Sequence, residues 1–332
     1  LMIVDGRAAV VGGRNVGDHY FGLSETYNFH DTDLLGIGHI AEQANGMFDM
    51  FWNSEWVVSA DNLTTAPDQD IARQQWQGIQ ANAKATELQR FPRAPKDWTA
   101  ELTALAADLR IGRSNLLYDD TPAAQIDQSK KSSMFNFYSL AKKELLNMNA
   151  YVRPTQEAID YLQSKRDAGV DVRILTNSLS SHDVPAVNSH YEPWRDDYIR
   201  AGVEMFEFRS DPAIQSTVVD VPPVAAEFTG LHSKSAVADG RYVFIGSMNL
   251  DPRSRQINTE MGAFVDSPEL AEDLRQIILR DMSGENAWHV QLDENGDVFW
   301  QNSDETTTTQ PARDGMQRVM NVLMKVGPKD QY

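Results

Sequence analysis

The chain has 332 residues, no cysteine, and 48 acidic against 30 basic residues, for a formal net charge of −18. That length is enough to bury a sizeable core and suits two domains or two halves of one. Without cysteine there are neither disulfides nor thiolate metal sites. The acidic balance disfavours a nucleic-acid binder, whose affinity rests on Lys and Arg facing phosphates, and no run of about 18 apolar residues is present to span a bilayer. No signal peptide is read, and the first residue is not Met, so the true N-terminus is expected to lie upstream.

Residues 1–15, LMIVDGRAAVVGGRN, read as a hairpin: apolar strand, Asp5-Gly6 turn, apolar strand, Gly-rich loop. A strand over 32–37 follows, then a helix over roughly 40–52 with Ala41, Ala44, Phe48 and Trp52 on one side. Residues 60–130 change character: Asp70 to Gln89 is Gln- and Ala-rich with a helical pattern, broken by Phe91-Pro92-Arg93-Ala94-Pro95. Beyond them the sequence predicts a helix over 133–146, a strand over 148–152 and a helix from Pro154 to Gly169. A strand over 170–176 runs into Asn177-Ser178, which fit either pocket lining or turn chemistry, and a helix over 192–201 and a strand over 203–208 follow. Alternating helices and strands imply a mixed or parallel sheet covered on both faces. The tail reads as a hairpin around Glu294-Asn295-Gly296, a polar linker over 303–311, and a helix. That helix carries Met316, Val319, Met320, Leu323 and Met324 on an apolar face, with Arg313, Arg318, Lys325 and Lys329 nearby. The face is expected to pack on the core; the alternative is an interfacial membrane contact.

The stretch Leu231 to Asn249, LHSKSAVADGRYVFIGSMN, carries the chemistry. His232 and Lys234, two apart on a strand, point the same way. The Asp239-Gly240 turn returns the chain, and the loop Gly246-Ser247-Met248-Asn249 brings a hydroxyl and an amide toward the His/Lys face. Asp5, Gly12, Gly13 and Asn15 match Asp239, Gly246, Ser247 and Asn249 at a constant offset of 234, an internal repeat. The repeat continues from Asp33 to Glu260 at an offset of 227, the extra residues of the first copy falling around Phe21 to Phe29. At the offset of 234, Lys234 maps to the position immediately before Leu1. The first copy is therefore expected to lack its His-x-Lys here, leaving Asp5, Asn15 and Asp33, and the sequence is expected to be a fragment with little activity of its own.

A histidine can attack a phosphodiester phosphorus and form a covalent phosphoenzyme. A second histidine can protonate the leaving alkoxide and then deprotonate the incoming hydroxyl. Lysines and a Ser/Asn loop can hold the non-bridging oxygens, which removes the need for a metal, and His19, His30, His39, His182, His190 and His289 lack metal-ligand spacing. Glu260 is the candidate acceptor of the His232 Nδ1 proton, and Asp33 that of the missing histidine. Asp239 fixes the hairpin turn or takes part in the chemistry. Arg253 and Arg255 suit a second phosphate, a lipid headgroup, or pairing with the many carboxylates.

HSKSAVAD followed by GSMN resembles the HKD signature of the phospholipase D superfamily. IGSMNLDPRSRQINTEMG, TNSLSSHDVPAVNSHY with its AGVEMFEF sequel, and DGRAAVVGGRNVGDHYF followed by DTDLL are similar to bacterial cardiolipin synthases. The departures are the first His-x-Lys and Gly13, which stands where the second copy has Ser247. The resemblance implies an α/β phospholipase D-like fold of two similar halves, each a mixed β-sheet flanked by helices, with the active site at their interface. On that reading 1–59 is the remnant of the first half, 60–130 a helical connection, 131–283 the second half with the complete motif, and 284–332 a hairpin, linker and amphipathic helix. The resemblance also implies a phosphatidyl transferase making cardiolipin from phosphatidylglycerol and phosphatidylethanolamine through a phosphohistidine, peripheral at the bacterial inner membrane and without cofactor. In it His232 is the general acid/base. The alternatives are a phospholipase D or other phosphodiesterase that uses water, and an inactive half-site that only binds lipid.

Overall fold

The structure, a computed structural model, describes residues 1–63, 68–85, 97–121 and 133–325. The Phe91–Pro95 break and Lys329 lie outside them. In chain order the first elements are β1 (Met2–Val4), β2 (Ala8–Gly12), β3 (Tyr27–His30), β4 (Asp33–Ile37), α1 (His39–Trp52), α2 (Gln69–Ala85), α3 (Trp98–Asp108) and β5 (Arg113–Tyr118). Then come α4 (Ser133–Leu140), β6 (Glu144–Asn149), α5 (Gln156–Asp167), β7 (Asp171–Asn177), α6 (Pro185–Arg200), β8 (Glu204–Phe208), β9 (Phe228–Leu231), β10 (Lys234–Ala238) and β11 (Tyr242–Gly246). The last are α7 (Pro252–Gln256), β12 (Met261–Asp266), α8 (Pro268–Asp281), β13 (Ala287–Leu292), β14 (Val298–Gln301), β15 (Thr306–Thr307) and α9 (Gly315–Met324).

The chain divides into two compact units, Leu1–Met47 with Ile111–Tyr332, and Phe48–Arg110. The second is helical: the Asp97 carboxylate caps α3 by accepting the Thr99 and Ala100 N–H groups at 3.0 and 3.2 Å. Trp98, Leu102 and Leu105 lie at helical spacing and are exposed.

In the first unit a ten-stranded sheet runs β15-β14-β13-β8-β7-β6-β10-β11-β12-β5, parallel at β6-β7-β8 and antiparallel at its other pairings. Alternation along β10 sends Val237 into one core, which α8 covers with Leu274 and Ile278. Ala236 and Ala238 go into the other, with Phe137 of α4, Leu162 of α5 and Tyr198 of α6. Both faces are thus buried, as the alternating pattern predicts. A three-stranded sheet, β1-β2-β4, shares the first of these cores through Ala9, Val11 and Leu34.

The repeat is visible in the pairing itself. Asp5-Gly6 and Asp239-Gly240 both have positive φ, between 51° and 62°, and each closes a tight turn, Arg7 N–H to Val4 C=O at 2.9 Å and Arg241 N–H to Ala238 C=O at 3.1 Å. Met2↔Val10 and Ala236↔Phe244 are the same pair displaced by 234. β4 pairs with β2 as β12 pairs with β11, Gly12↔Asp33 matching Gly246↔Gly262, so beyond the hairpin the offset is 229. The expected match of Asp33 to Glu260 is therefore two residues out of register: Glu260 corresponds to Asp31. A two-residue slip keeps every side chain on its own face, so an alternating pattern cannot detect it.

Three further expectations change. Residues 113–118, placed in a helical connection, form β5 at the edge of the ten-stranded sheet. The helix expected over 133–146 ends at Leu140, and Leu145, Leu146 and Met148 belong to β6, between β7 and β10. A short apolar run serves a buried strand as well as a helix, and here the long-range pairing decides. The apolar face of α9 does not pack on the core. Gln317 and Asn321 are buried instead, donating to Leu179 C=O at 2.6 Å and to Glu192 at 2.9 Å, while Met316, Val319, Val322 and Leu323 are exposed.

Candidate active site

Two parallel strands set the site. β3 and β9 pair with His30 opposite Leu231, so the next residues, Asp31 and His232, leave the pair side by side. The His30 carbonyl accepts the His232 and Ser233 N–H groups at 2.8 and 3.2 Å. Asn177 reinforces the arrangement: its Oδ1 accepts Leu231 N–H at 2.9 Å and its Nδ2 donates to Leu231 C=O at 2.8 Å. Asn177 is thus spent on the backbone, and Ser178 on Ser180 and Ser181.

His232 Nδ1 lies 2.7 Å from Asp31 Oδ2, and the Asp31 carboxylate is fully buried. Burial alone would raise the Asp31 carboxyl. The hydrogen bond to His232 and the charges of Lys234 and Arg14 outweigh it and hold the group below its ordinary range. Burial, aided by the Lys234 ammonium, lowers His232, with Asp31 pulling the other way. The imidazole is therefore neutral near pH 7. Because an ionised carboxylate only accepts, Nδ1 carries the proton and Nε2 keeps a free lone pair. Tyr20, Phe29 and Tyr151 surround the ring at centroid distances of 5.1, 4.9 and 6.4 Å.

Lys234 is fully buried, its Nζ donating to the His232 carbonyl and lying 5.8 Å from the Tyr151 ring centroid. Burial lowers its pKa to about 8, against the nearby carboxylates Asp31, Glu260, Asp183 and Asp251. Gly13 departs from the repeat where a Cβ would stand 2.9 Å from Lys234 Cδ, so the serine of the second copy would require the Lys234 side chain to shift.

Glu260 is not the partner of His232. Its carboxylate accepts Ser247 Oγ at 2.5 Å, Ser254 Oγ at 2.7 Å and Asn258 Nδ2 at 3.1 Å, and burial raises its pKa against those bonds. The support for His232 crosses from the other copy of the repeat. Ser247 is committed to Glu260, and Asn249 keeps a buried Oδ1 without a hydrogen-bond partner. Asn15 donates to the Tyr20 hydroxyl at 3.1 Å. Asp33 pairs with Arg14 at 2.6 Å, not with a histidine. Asp239 lies at the far end of β10 from Lys234 and accepts the N–H groups of Lys142, Lys143 and Glu144 at 3.0, 2.7 and 3.0 Å. It is a backbone clamp, remote from the reacting groups, and Asp5 holds the equivalent exposed turn. Arg253 and Arg255 lie on α7, and Arg255 lines a narrow apolar groove with Met248, Asn249 and Leu250.

The residues missed at the sequence level are Asp31, Tyr20, Tyr151 and Asp183. Tyr151 donates its hydroxyl to Asp183 at 3.0 Å, and the Tyr151 ring stacks on His182 at 5.5 Å. Asp31 alone left a signal, since the repeat read at an offset of 229 aligns it with Glu260. Together the site offers one nucleophile or base with its tautomer fixed, and one buried ammonium that can hold phosphoryl oxygens.

Residues 125–282 match the family described as cardiolipin synthase, PLD-like domain. The chain is 32% identical over 305 residues to cardiolipin synthase C of Escherichia coli K12, covering 90% of this chain and 64% of that protein. It is 25% identical over 287 residues to cardiolipin synthase 2 of Staphylococcus epidermidis, covering 86% and 47%. The chain thus spans about half to two thirds of the length of these relatives. Among solved structures, phosphatidylserine synthase of Haemophilus influenzae Rd KW20 superposes with a TM-score of 0.53 at 13% identity, covering 84% of this chain and 61% of that one, a likeness of fold. Residues 125–282 are thus similar to the cardiolipin synthase, PLD-like domain family, and the similarity to cardiolipin synthase C extends over most of the chain.

Proposed function

We propose that this site transfers a phosphatidyl group, making cardiolipin from phosphatidylglycerol and phosphatidylethanolamine through a covalent phosphohistidine. Two histidines share the work. One attacks phosphorus through Nε2, forming the N–P bond as the P–O bond to the headgroup breaks. The other gives its proton to the departing alkoxide, then takes one from the acceptor hydroxyl as that oxygen replaces the histidine at phosphorus. His232 is the acid/base, and because its neutral form carries a proton only at Nδ1, it takes up a second proton at Nε2 before giving that proton to the alkoxide. Its counterpart is the nucleophilic histidine of the first motif that the resemblance to two-motif phospholipase D proteins implies. The observation that carries the reading is the neutral His232, tied at Nδ1 to Asp31 and set beside the buried Lys234. The similarity to cardiolipin synthase C supports lipid transfer over hydrolysis.

The test uses the full-length protein with vesicles of phosphatidylglycerol and phosphatidylethanolamine, and reads products by mass spectrometry. Cardiolipin should form with the wild type and fall by about 10³-fold or more with His232→Ala. Undiminished cardiolipin from that variant would refute the assignment, and phosphatidic acid as the dominant product would make the enzyme a hydrolase. The protein is proposed to sit peripherally on the bacterial inner membrane, the exposed Met316, Val319 and Leu323 of α9 entering the lipid. Flotation of the same vesicles checks this: the double variant Met316→Ser with Leu323→Ser should stay behind, and full co-flotation would rule α9 out.

A further inference from the structure

The strand that delivers Asp31 is short and two-faced. β3 and β9 have four residues each and form a two-stranded sheet, a unit that is marginal without further anchors. Alternation sends Phe29 and, just past the strand, Asp31 toward His232, with the Phe29 and His232 rings 4.9 Å apart and Asp31 bonded to Nδ1. The same alternation sends Asn28 and His30 to the other side, where both are buried and each meets a buried carboxylate from a distant part of the chain. Asn28 Nδ2 donates to Asp220 Oδ1 at 2.7 Å, and His30 Nε2 lies 2.7 Å from Asp281 Oδ2.

The His30 anchor is the one next to the chemistry. His30 directly precedes Asp31, and its carbonyl accepts the N–H groups of His232 and Ser233, so a shift of this residue displaces both the acid and the backbone support of the histidine. Its ring is held on two sides: Phe208 stacks on it at 5.9 Å with an interplanar angle of 19°, and Asp281 takes Nε2. Asp281 is fully buried and is the last residue of α8, whose Ala271, Leu274 and Ile278 are packed in the core. Its other oxygen is held by Arg280, with Nε at 2.8 Å and Nη2 at 2.7 Å. Asn177 does the corresponding work for β9 by bonding both backbone groups of Leu231. The Asp31–His232 contact is thus fixed from two directions, by α8 through His30 and by β7 through Asn177. Apolar side chains of similar volume would serve stability as well as a buried polar pair. What His30 and Asp281 add is a directed contact.

We propose that Asp281 is a positioning residue of the site: bonded to His30, it holds the end of β3 so that Asp31 meets Nδ1 of His232. For its effect on turnover the proposal rests on the reading of His232 as the acid/base.

The test uses the full-length protein, with NMR of the His232 imidazole and steady-state kinetics on vesicles of phosphatidylglycerol and phosphatidylethanolamine. Asp281→Ala should let the neutral ring divide its proton between Nδ1 and Nε2, and should move the His232 titration to lower pH as the pull of Asp31 weakens. It should lower kcat about tenfold or more and leave KM within about threefold. Asp281→Asn, whose amide oxygen is a weaker acceptor than a carboxylate, should do the same to a smaller extent. In an Asp31→Asn background, Asp281→Ala should add no more than about twofold to the loss in kcat, because the group it acts through is already gone. Circular dichroism establishes that each variant is folded. If Asp281 served stability alone, urea unfolding would shift while the tautomer and titration of His232 stayed as in the wild type, and the losses in kcat would multiply in the double variant; either result overturns the proposal. Should Asp281→Ala not fold, Asp281→Asn decides by the same imidazole signals. Those signals need no turnover, so a changed tautomer in a protein making no cardiolipin would sink the transferase reading and leave this one standing.

Discussion

The strands β1-β2-β4 and β10-β11-β12 repeat the same pairing at offsets of 234 and 229, yet their carboxylates do different work. Asp31, at the foot of the first copy, bonds the histidine of the second at 2.7 Å, whereas Glu260, its counterpart, is occupied by two hydroxyls and an amide. The difference teaches that neither copy is a complete site. The first copy lends its acid across the contact while the second keeps its own, and so His232 is oriented only where the two copies meet.

The sharpest break of that comparison is Asp31→Asn. Loss of the Nδ1 acceptor should cost on the order of 10²–10⁴ in kcat, the scale seen when the acid that fixes a catalytic histidine's tautomer is neutralised. Asp31 pulls the His232 pKa upward, so its loss should move the His232 titration to lower pH. Glu260→Gln should leave that titration in place. NMR of the imidazole checks both, and a shift with Glu260→Gln alone would mean that the crossing has been misassigned.

Lys234 supplies the next effect. With its pKa near 8 the ammonium is present below that pH and lost above it, so kcat/KM should fall about tenfold per pH unit beyond pH 8. Lys234→Met should remove this limb and lower kcat by about 10²-fold or more. The stability sign is the opposite. The unfolded lysine binds its proton up to its ordinary value, so this group makes unfolding harder as pH rises from about 8 to 10.5. A kcat/KM profile flat through pH 8 to 10 would remove Lys234 from phosphate binding.

The smallest effect belongs to Asp239. Deleting its acceptor for three backbone N–H groups, as in Asp239→Ala, should cost roughly 1–3 kcal/mol in urea unfolding, with the His232 titration unmoved. Unchanged stability combined with lost turnover would return Asp239 to the chemistry.

Much of this was legible early because it is local. A His-x-Lys, Asp-Gly turns and a constant offset are short-range signals, and β10, β11, α8 and the hairpin of 1–15 follow from them. The repeat's register was less secure, since a pattern of period two is blind to a slip of two, and Asp33 stood in for Asp31. The edge strand β5 was read as part of a helical connection, because its pairing with β12 joins residues more than 140 apart. In α9 the polar Gln317 and Asn321 turned inward because Leu179 C=O, Asn188 and Glu192 await them on a neighbouring surface.

The sequence by itself determined the chemical inventory, namely a histidine two residues before a lysine, a Ser/Asn loop, and a doubled scaffold to present them; it put both on one strand, whereas His232 falls between β9 and β10 and only Lys234 opens β10. The tertiary structure alone decided which acid serves the histidine, and that Tyr20, Phe29 and Tyr151 stand around it. The physical reason is that spacing along a strand fixes which face a side chain takes, while a hydrogen bond between Asp31 and His232, 201 positions apart, exists only once β3 and β9 have paired.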